Sequence, residues 1–176
     1  RVEDVTATTR VEVVSPDAPF LLVSDFDDTV AVTNVTSTLG VLDSTFLKDA
    51  ETQPAVAGMA GFTRCLHGKG APVAIVPGSP VQLAPRIARF LEKNRFPPAA
   101  LYLRNLGRDT LQGYKEPVLE RLAQRFPELK LVLVGDTGER DPEIYAAFAA
   151  AHPRRVARVF LRRATAGPVP SALAAG

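Results

Sequence analysis

Three carboxylates fall within four positions in Asp25-Phe26-Asp27-Asp28, directly after the apolar run Phe20-Leu21-Leu22-Val23. Like charges packed so closely repel unless a cation or a proton intervenes. Asp25 and Asp27 are two residues apart, so in extended backbone they point the same way. Between them they could hold a hard divalent cation through oxygen, and one could attack a phosphorus atom that the cation has made electrophilic. An acidic turn after a strand would carry the same letters, since turns are rich in Asp. The rest of the chain has to decide.

Three further segments fall into step with the first. Pro77-Gly78-Ser79-Pro80 follows the apolar run Ala71 to Val76, and Gly135-Asp136-Thr137-Gly138-Glu139-Arg140-Asp141 follows Leu129 to Val134. Ser79 stands before a helical pattern whose unpaired N–H groups could seat a phosphate, although Ser before a helix is more often just a cap. Lys115 opens another helical pattern, where by itself it would read as a solvated lysine. Taken in order, Asp25, Ser79 and Asp136 each stand at the end of a strand-like run, so one crevice can collect nucleophile, hydroxyl and metal ligand while Lys115 reaches in.

The elements that must position these groups alternate along the chain. Strands are expected at Phe20–Ser24, Ala71–Val76, Leu101–Arg104, Leu129–Val134 and Val156–Leu161. Helical periodicity marks Ala55–His67, Val81–Lys93 (opened by Pro80), Tyr114–Phe126 and Ile144–Ala151. That alternation predicts an α/β fold of three layers, Rossmann-like, with a central parallel sheet of about five strands and helices on both faces. The chain of 176 residues fits one domain, with a core over about 13–163 and flexible ends. A chain this long buries roughly 70% of its unfolded surface and needs no staples.

Composition bounds the partners. Lys and Arg number 21 against 19 Asp and Glu, a formal charge of +2 that gives no argument for nucleic acid. Cys65 is the single cysteine, so no internal disulfide can form, and it is expected as core filler. No apolar run approaches the ~20 residues that span a bilayer. Arg154, Arg155, Arg158, Arg162 and Arg163 crowd toward the C-terminus, read either as a solvated edge or as attraction to an anionic membrane. Arg1 as first residue leaves room for an upstream domain or a removed leader.

These motifs resemble the haloacid dehalogenase (HAD) phosphotransferases. Asp25-Phe26-Asp27-Asp28-Thr29 matches that superfamily's first motif, Lys115 its third, and Gly135-Asp136 with Asp141 its last. Within it, the longer text is similar to the phosphatidate phosphatase catalytic domain of the fungal actin-patch protein and its bacterial relatives. The matching text is Ser24 to Val30, Ser79-Pro80 with Gln82-Leu83, Phe96-Pro97-Pro98, Leu101 to Asn105, Phe126-Pro127, Val134 to Tyr145 and His152 to Val156. The family's Ser-x-Ser-Pro-Trp is Pro77-Gly78-Ser79-Pro80-Val81 here, so one hydroxyl and one large ring are lost.

The resemblance implies a Mg²⁺-dependent phosphomonoester hydrolase working through an aspartyl-phosphate. Asp25 would be the nucleophile, Asp27 the general acid and base, and Lys115 the neutralising cation. Asp25, Asp27, Asp136 and Asp141 would form the metal site, with Gly78, Ser79 and Lys115 on the substrate. A minimal or absent cap over Val30 to Gln53 leaves the pocket open, which suits phosphatidate at a membrane surface. The compartment is not decided by the residues; a soluble cytoplasmic protein with peripheral membrane contact is the working expectation. The alternative is a catalytically weak module that binds phospholipid or phosphoprotein in the same pocket.

Overall fold

The computed structural model describes residues 13–32, 53–110 and 113–164. Strands β1 (Leu21–Ser24), β2 (Val73–Ile75), β3 (Ala100–Leu101), β4 (Leu131–Asp136) and β5 (Val156–Arg162) form one sheet in the order β3-β2-β1-β4-β5. Every neighbouring pair is parallel. Parallel neighbours need crossovers, and four helices supply them: α1 (Met59–His67), α2 (Ala84–Lys93), α3 (Lys115–Arg125) and α4 (Asp141–Ala151).

The alternation of side chains along the strands builds two apolar layers. Leu22, Val73, Ile75, Val132 and Val134 pack against Phe62 of α1 and Ile87 and Phe90 of α2. Leu21, Val23, Ala74, Leu131 and Leu133 face the other way, onto Val118 and Leu122 of α3 and Ile144 and Phe148 of α4. The three-layer α/β arrangement with a five-stranded parallel sheet is therefore as the sequence implied. The chain fills β1, β2 and β3 outward in one direction, then returns to lay β4 and β5 on the opposite side. Strand order reverses between β1 and β4, and their carboxyl ends flank the crevice in which such sheets bind ligands.

Element boundaries differ from the sequence reading for local reasons. The first helix begins at Met59 because residues before it pair backward: Val56 N–H donates to the Val30 carbonyl at 2.9 Å, and Ala55 bridges Ala31. Gly58, at φ 84°, then turns the chain into α1. Pro80 does not open an α-helix. Val81–Leu83 form a 3₁₀ turn and α2 starts at Ala84, because Pro85 has no N–H to donate and is tolerated only in a first turn. β3 stops at Leu101, although Arg104 still bridges Pro80.

Two single-residue expectations change as well. Cys65 is exposed, not core, since it lies two positions along α1 from buried Thr63 and so on the opposite side. Of the basic C-terminal residues, Arg155 donates from Nη2 to the carbonyls of Ala123 and Phe126 at 2.9 and 2.7 Å, closing the end of α3. Arg162 donates to the Asp28 carbonyl at 2.6 Å. The segment 33–52, where a missing cap was expected, and the expected flexible ends before residue 13 and after residue 164 lie outside the described residues.

Candidate active site

Asp25 follows β1 directly, and its N–H donates to the Val134 carbonyl at 2.8 Å, so it is held against the end of β4. The Ser24 hydroxyl donates to the Asp25 carbonyl at 2.8 Å. Phe26 is driven into the core, 1% exposed and edge-on to Phe90 at 5.2 Å. It anchors the loop between its two neighbouring acids. The turn closes with the Val30 and Ala31 N–H groups both donating to the Phe26 carbonyl, at 2.8 and 3.0 Å, while Asp28 takes a left-handed φ of 48°.

Asp136 ends β4, fully buried; one oxygen accepts the Gly138 N–H and the other the Thr29 hydroxyl at 3.4 Å. Asp141 begins α4, also fully buried. An acid suits that end of a helix, where the dipole is positive. Lys115 begins α3, where the same dipole disfavours a cation, and it is only 7% exposed. What retains it there is charge. Its Nζ lies 2.9 Å from Asp25 Oδ1 and 3.5 Å from Glu139 Oε2, and it donates to Asp141 Oδ1.

Asp25, Asp136 and Asp141 each bring one oxygen within 4.8 Å of the other two. Asp27 is not in that trio and is half-buried, although its Oδ1 is covered. Lys115 approaches Asp25 at ion-pair distance without hydrogen-bond direction, so both Asp25 oxygens, Asp27 Oδ1 and Asp141 Oδ2 are buried with no hydrogen bond. Buried carboxylate oxygens left bare in this way are costly. Oxygen-only donors of this kind fit a hard divalent cation, and the three clustered carboxylates can hold one.

The protonation equilibria carry the same message. Burial pushes the Asp25 carboxyl well above its ordinary range; Lys115 opposes this, while Asp141, Glu139 and Asp27 add to it. Burial, reinforced mainly by Glu139, lifts Asp27 to about 7. Asp136 is raised by burial and partly restored by the Gly138 N–H. Lys115 stays protonated: the attraction of Asp25 and Asp141 outweighs its desolvation and moves it upward.

Residues 20–163 match the family model described as phosphatidate phosphatase APP1, catalytic domain. The chain belongs to this family. An uncharacterized Schizosaccharomyces pombe protein is 33% identical over 150 residues, 80% of this chain and 24% of that protein. Phosphatidate phosphatase APP1 of Saccharomyces cerevisiae is 26% identical over 150 residues, 80% of this chain and 25% of that protein. The chain thus spans about a quarter of the length of the curated relatives it matches. Among solved structures, a chain of the Pnkp1/Rnl/Hen1 complex superposes with a TM-score of 0.56 at 14% identity, covering 88% of this chain and 48% of that one. At that identity the likeness concerns the fold alone.

In this APP1-family chain the fold brings Asp25, Lys115, Asp136 and Asp141 together, with Asp27 coupled to them through charge. Gly78 and Ser79 lie past β2 at the same end of the sheet. The expected anion seat there is altered: no α-helix starts behind Ser79, and the Val81 N–H is spent on the Arg104 carbonyl at 2.9 Å. The Gly78 carbonyl accepts Arg104 Nε at 3.1 Å. Two contributors were not singled out from sequence. Glu139 was visible only as one acid of its loop, and its reach to Lys115 depends on how that loop turns. Gly135 is the other. A Cβ there would meet Tyr145 Cε2 at 2.8 Å and Asp141 Cβ at 2.9 Å, so only hydrogen lets α4 bring Asp141 against β4. Gly135→Ala is accordingly expected to cost about 1–3 kcal/mol by overpacking, read as a lower urea midpoint at unchanged slope. An unshifted midpoint would show that α4 yields freely.

Proposed function

We propose that this chain is a Mg²⁺-dependent phosphomonoester hydrolase acting on phosphatidate or a closely related lipid phosphate, through a phosphoryl group carried on Asp25. The observation that carries the reading is the buried trio of Asp25, Asp136 and Asp141 with Lys115 against Asp25 and Asp141, in which both Asp25 oxygens and Asp141 Oδ2 accept no hydrogen bond. Family membership supplies the substrate class, which the pocket by itself does not name. The same residues are what the HAD resemblance implied.

Asp25, Asp136 and Asp141 would hold the cation, which when bound would polarise the phosphoryl oxygens and neutralise the carboxylates around it. The reactive oxygen of Asp25 attacks phosphorus, forming an O–P bond as the bond to the leaving alkoxide breaks. Asp27 gives its proton to that alkoxide. Water then attacks the phosphoryl group, Asp27 takes its proton back, and Asp25 is released with inorganic phosphate. A group that must both give and take a proton works best with a pKa near the working pH, and Asp27 at about 7 meets that requirement. Lys115 lets a dianionic ester approach an anionic nucleophile. Pro77, without hydroxyl or N–H, leaves phosphate orientation to Ser79 and to backbone donors.

The deciding experiment measures phosphate release from phosphatidate-containing micelles with Mg²⁺ and with EDTA. Turnover is expected only with the cation. Binding without turnover would favour the phospholipid- or phosphoprotein-binding module instead.

A stability measurement checks the cation site separately from catalysis. Asp27, raised from 3.8 to about 7, takes up a proton on folding within that window, and Asp25 and Asp136 shift the same way. Their protonated forms therefore stabilise the cation-free fold at low pH, and that contribution is lost as pH rises through the folded-state values. In EDTA the melting temperature should fall between about pH 5 and about pH 8, and Mg²⁺ should restore it most at the upper end. A melting temperature that Mg²⁺ leaves unmoved at every pH counts against the cation.

A further inference from the structure

We propose that the rim formed by Val81 and the 104–108 turn is a docking surface for an anionic phospholipid bilayer, with Leu106 and Val81 entering the headgroup boundary beside the pocket. This rests on the lipid-phosphate reading above and adds how a bilayer-held substrate would be met.

Among the described residues the large apolar side chains most open to solvent are Val13, Val81, Leu106 and Phe160. Single exposed apolar residues are ordinary. Two of these are not isolated. Arg104 N–H donates to the Ser79 carbonyl at 3.0 Å and Val81 N–H to the Arg104 carbonyl at 2.9 Å, so the chains leaving β2 and β3 run side by side past the carboxyl edge of the sheet. Val81, 49% exposed, therefore stands on the same lip as Leu106, 44% exposed, at the end of the sheet that carries Asp25.

The turn that carries Leu106 is built to hold it outward. Asn105 N–H donates to Asp109 Oδ2 at 2.7 Å, Asp109 N–H returns to the Asn105 carbonyl at 3.0 Å, and Gly107 takes φ 93°. Arg108 is exposed in the same turn, and half-buried Arg104 sits at its base. Apolar tips flanked by Arg are what an anionic bilayer surface accepts: the tips enter the acyl boundary and the guanidinium groups meet lipid phosphates. No helix among the described residues is long and apolar enough to cross a membrane. The other two exposed residues lie elsewhere. Phe160 is on edge strand β5 with Phe62 at 5.5 Å, and Val13 precedes β1 on the amino side of the sheet.

The chain has no tryptophan, so Leu106→Trp places a lone fluorophore on the rim. Phosphatidylcholine vesicles containing phosphatidate should shift its emission to the blue, less so in high salt, while Val13→Trp should not respond. Leu106→Asp should weaken co-sedimentation with those vesicles about tenfold and slow their hydrolysis alike. Hydrolysis of p-nitrophenyl phosphate by that variant should be unchanged. An unshifted Leu106→Trp spectrum, wild-type co-sedimentation by Leu106→Asp, or no vesicle binding by the wild-type chain overturns the proposal. So does a Leu106→Trp shift seen only with added protein, which would make the rim a protein-docking surface. If the phosphatase reading fails, neither substrate is turned over, yet the fluorescence and co-sedimentation results still stand or fall independently.

Discussion

Asp25→Asn should lower phosphate release by on the order of 10³-fold or more, about 4 kcal/mol of barrier, while leaving the fold intact. The amide keeps the shape of the carboxylate but is a far poorer nucleophile toward phosphorus. The fold should tolerate it because burial already pushes this group away from its charged form, so removing the charge relieves a desolvation cost. Lys115 then loses one of its partners but keeps Asp141. The pairing of lost turnover with a retained or higher melting temperature in EDTA is the signature; a variant turning over at the wild-type rate would end covalent catalysis through this residue.

Lys115→Met should do the opposite to stability. It removes the ammonium that Asp25 and Asp141 share, with Glu139 at 3.5 Å, and leaves their charges uncompensated behind side chains that are 1% and 0% exposed. Removing one partner of a buried ion pair costs about 3–5 kcal/mol, because the charge left behind is neither solvated nor paired. Here Asp25, which burial already pushes toward its neutral form, can recover part of that by taking up a proton, so chemical denaturation in EDTA should show the loss growing as pH rises toward 8 or so. Added Mg²⁺ should return part of the stability, since it supplies positive charge to the same oxygens. It should not return the rate: without the ammonium to offset charge between ester and nucleophile, turnover should stay about 10²–10³-fold down. Full stability in EDTA would mean Lys115 contributes nothing to holding the acids together, and full activity would remove it from the reaction.

These expectations also show which parts of the molecule were written locally. β1 and β4 were legible because strands covered on both faces must be continuous apolar runs, and Phe20 to Val23 and Leu131 to Val134 are such runs. Asp25 and Asp136 were legible for the same reason: each is where such a run meets an acid. Boundaries were less so. α1 lost its expected first residues to pairing between Val56 and Val30, and α2 began late because of Pro85. The first is a contact across 26 positions in sequence, which local periodicity does not register.

By itself the sequence determined which strands are buried, which residues carry acid or ammonium, and that the acids sit where strands end, since these follow from side-chain chemistry and from the two-residue and 3.6-residue periods of the backbone. The tertiary structure alone decided that β4 lies beside β1, and hence that Asp136 and Asp141 bring carboxylate oxygens within 4.8 Å of Asp25 although more than a hundred residues separate them. It also decided that Asp27 stays out of the trio, that Glu139 turns toward Lys115, and that Gly135 must lack a side chain. The physical reason is common to all of these. Strand pairing and close approach are set by which surfaces bury one another across the whole chain, whereas composition and spacing constrain each segment only against its immediate neighbours.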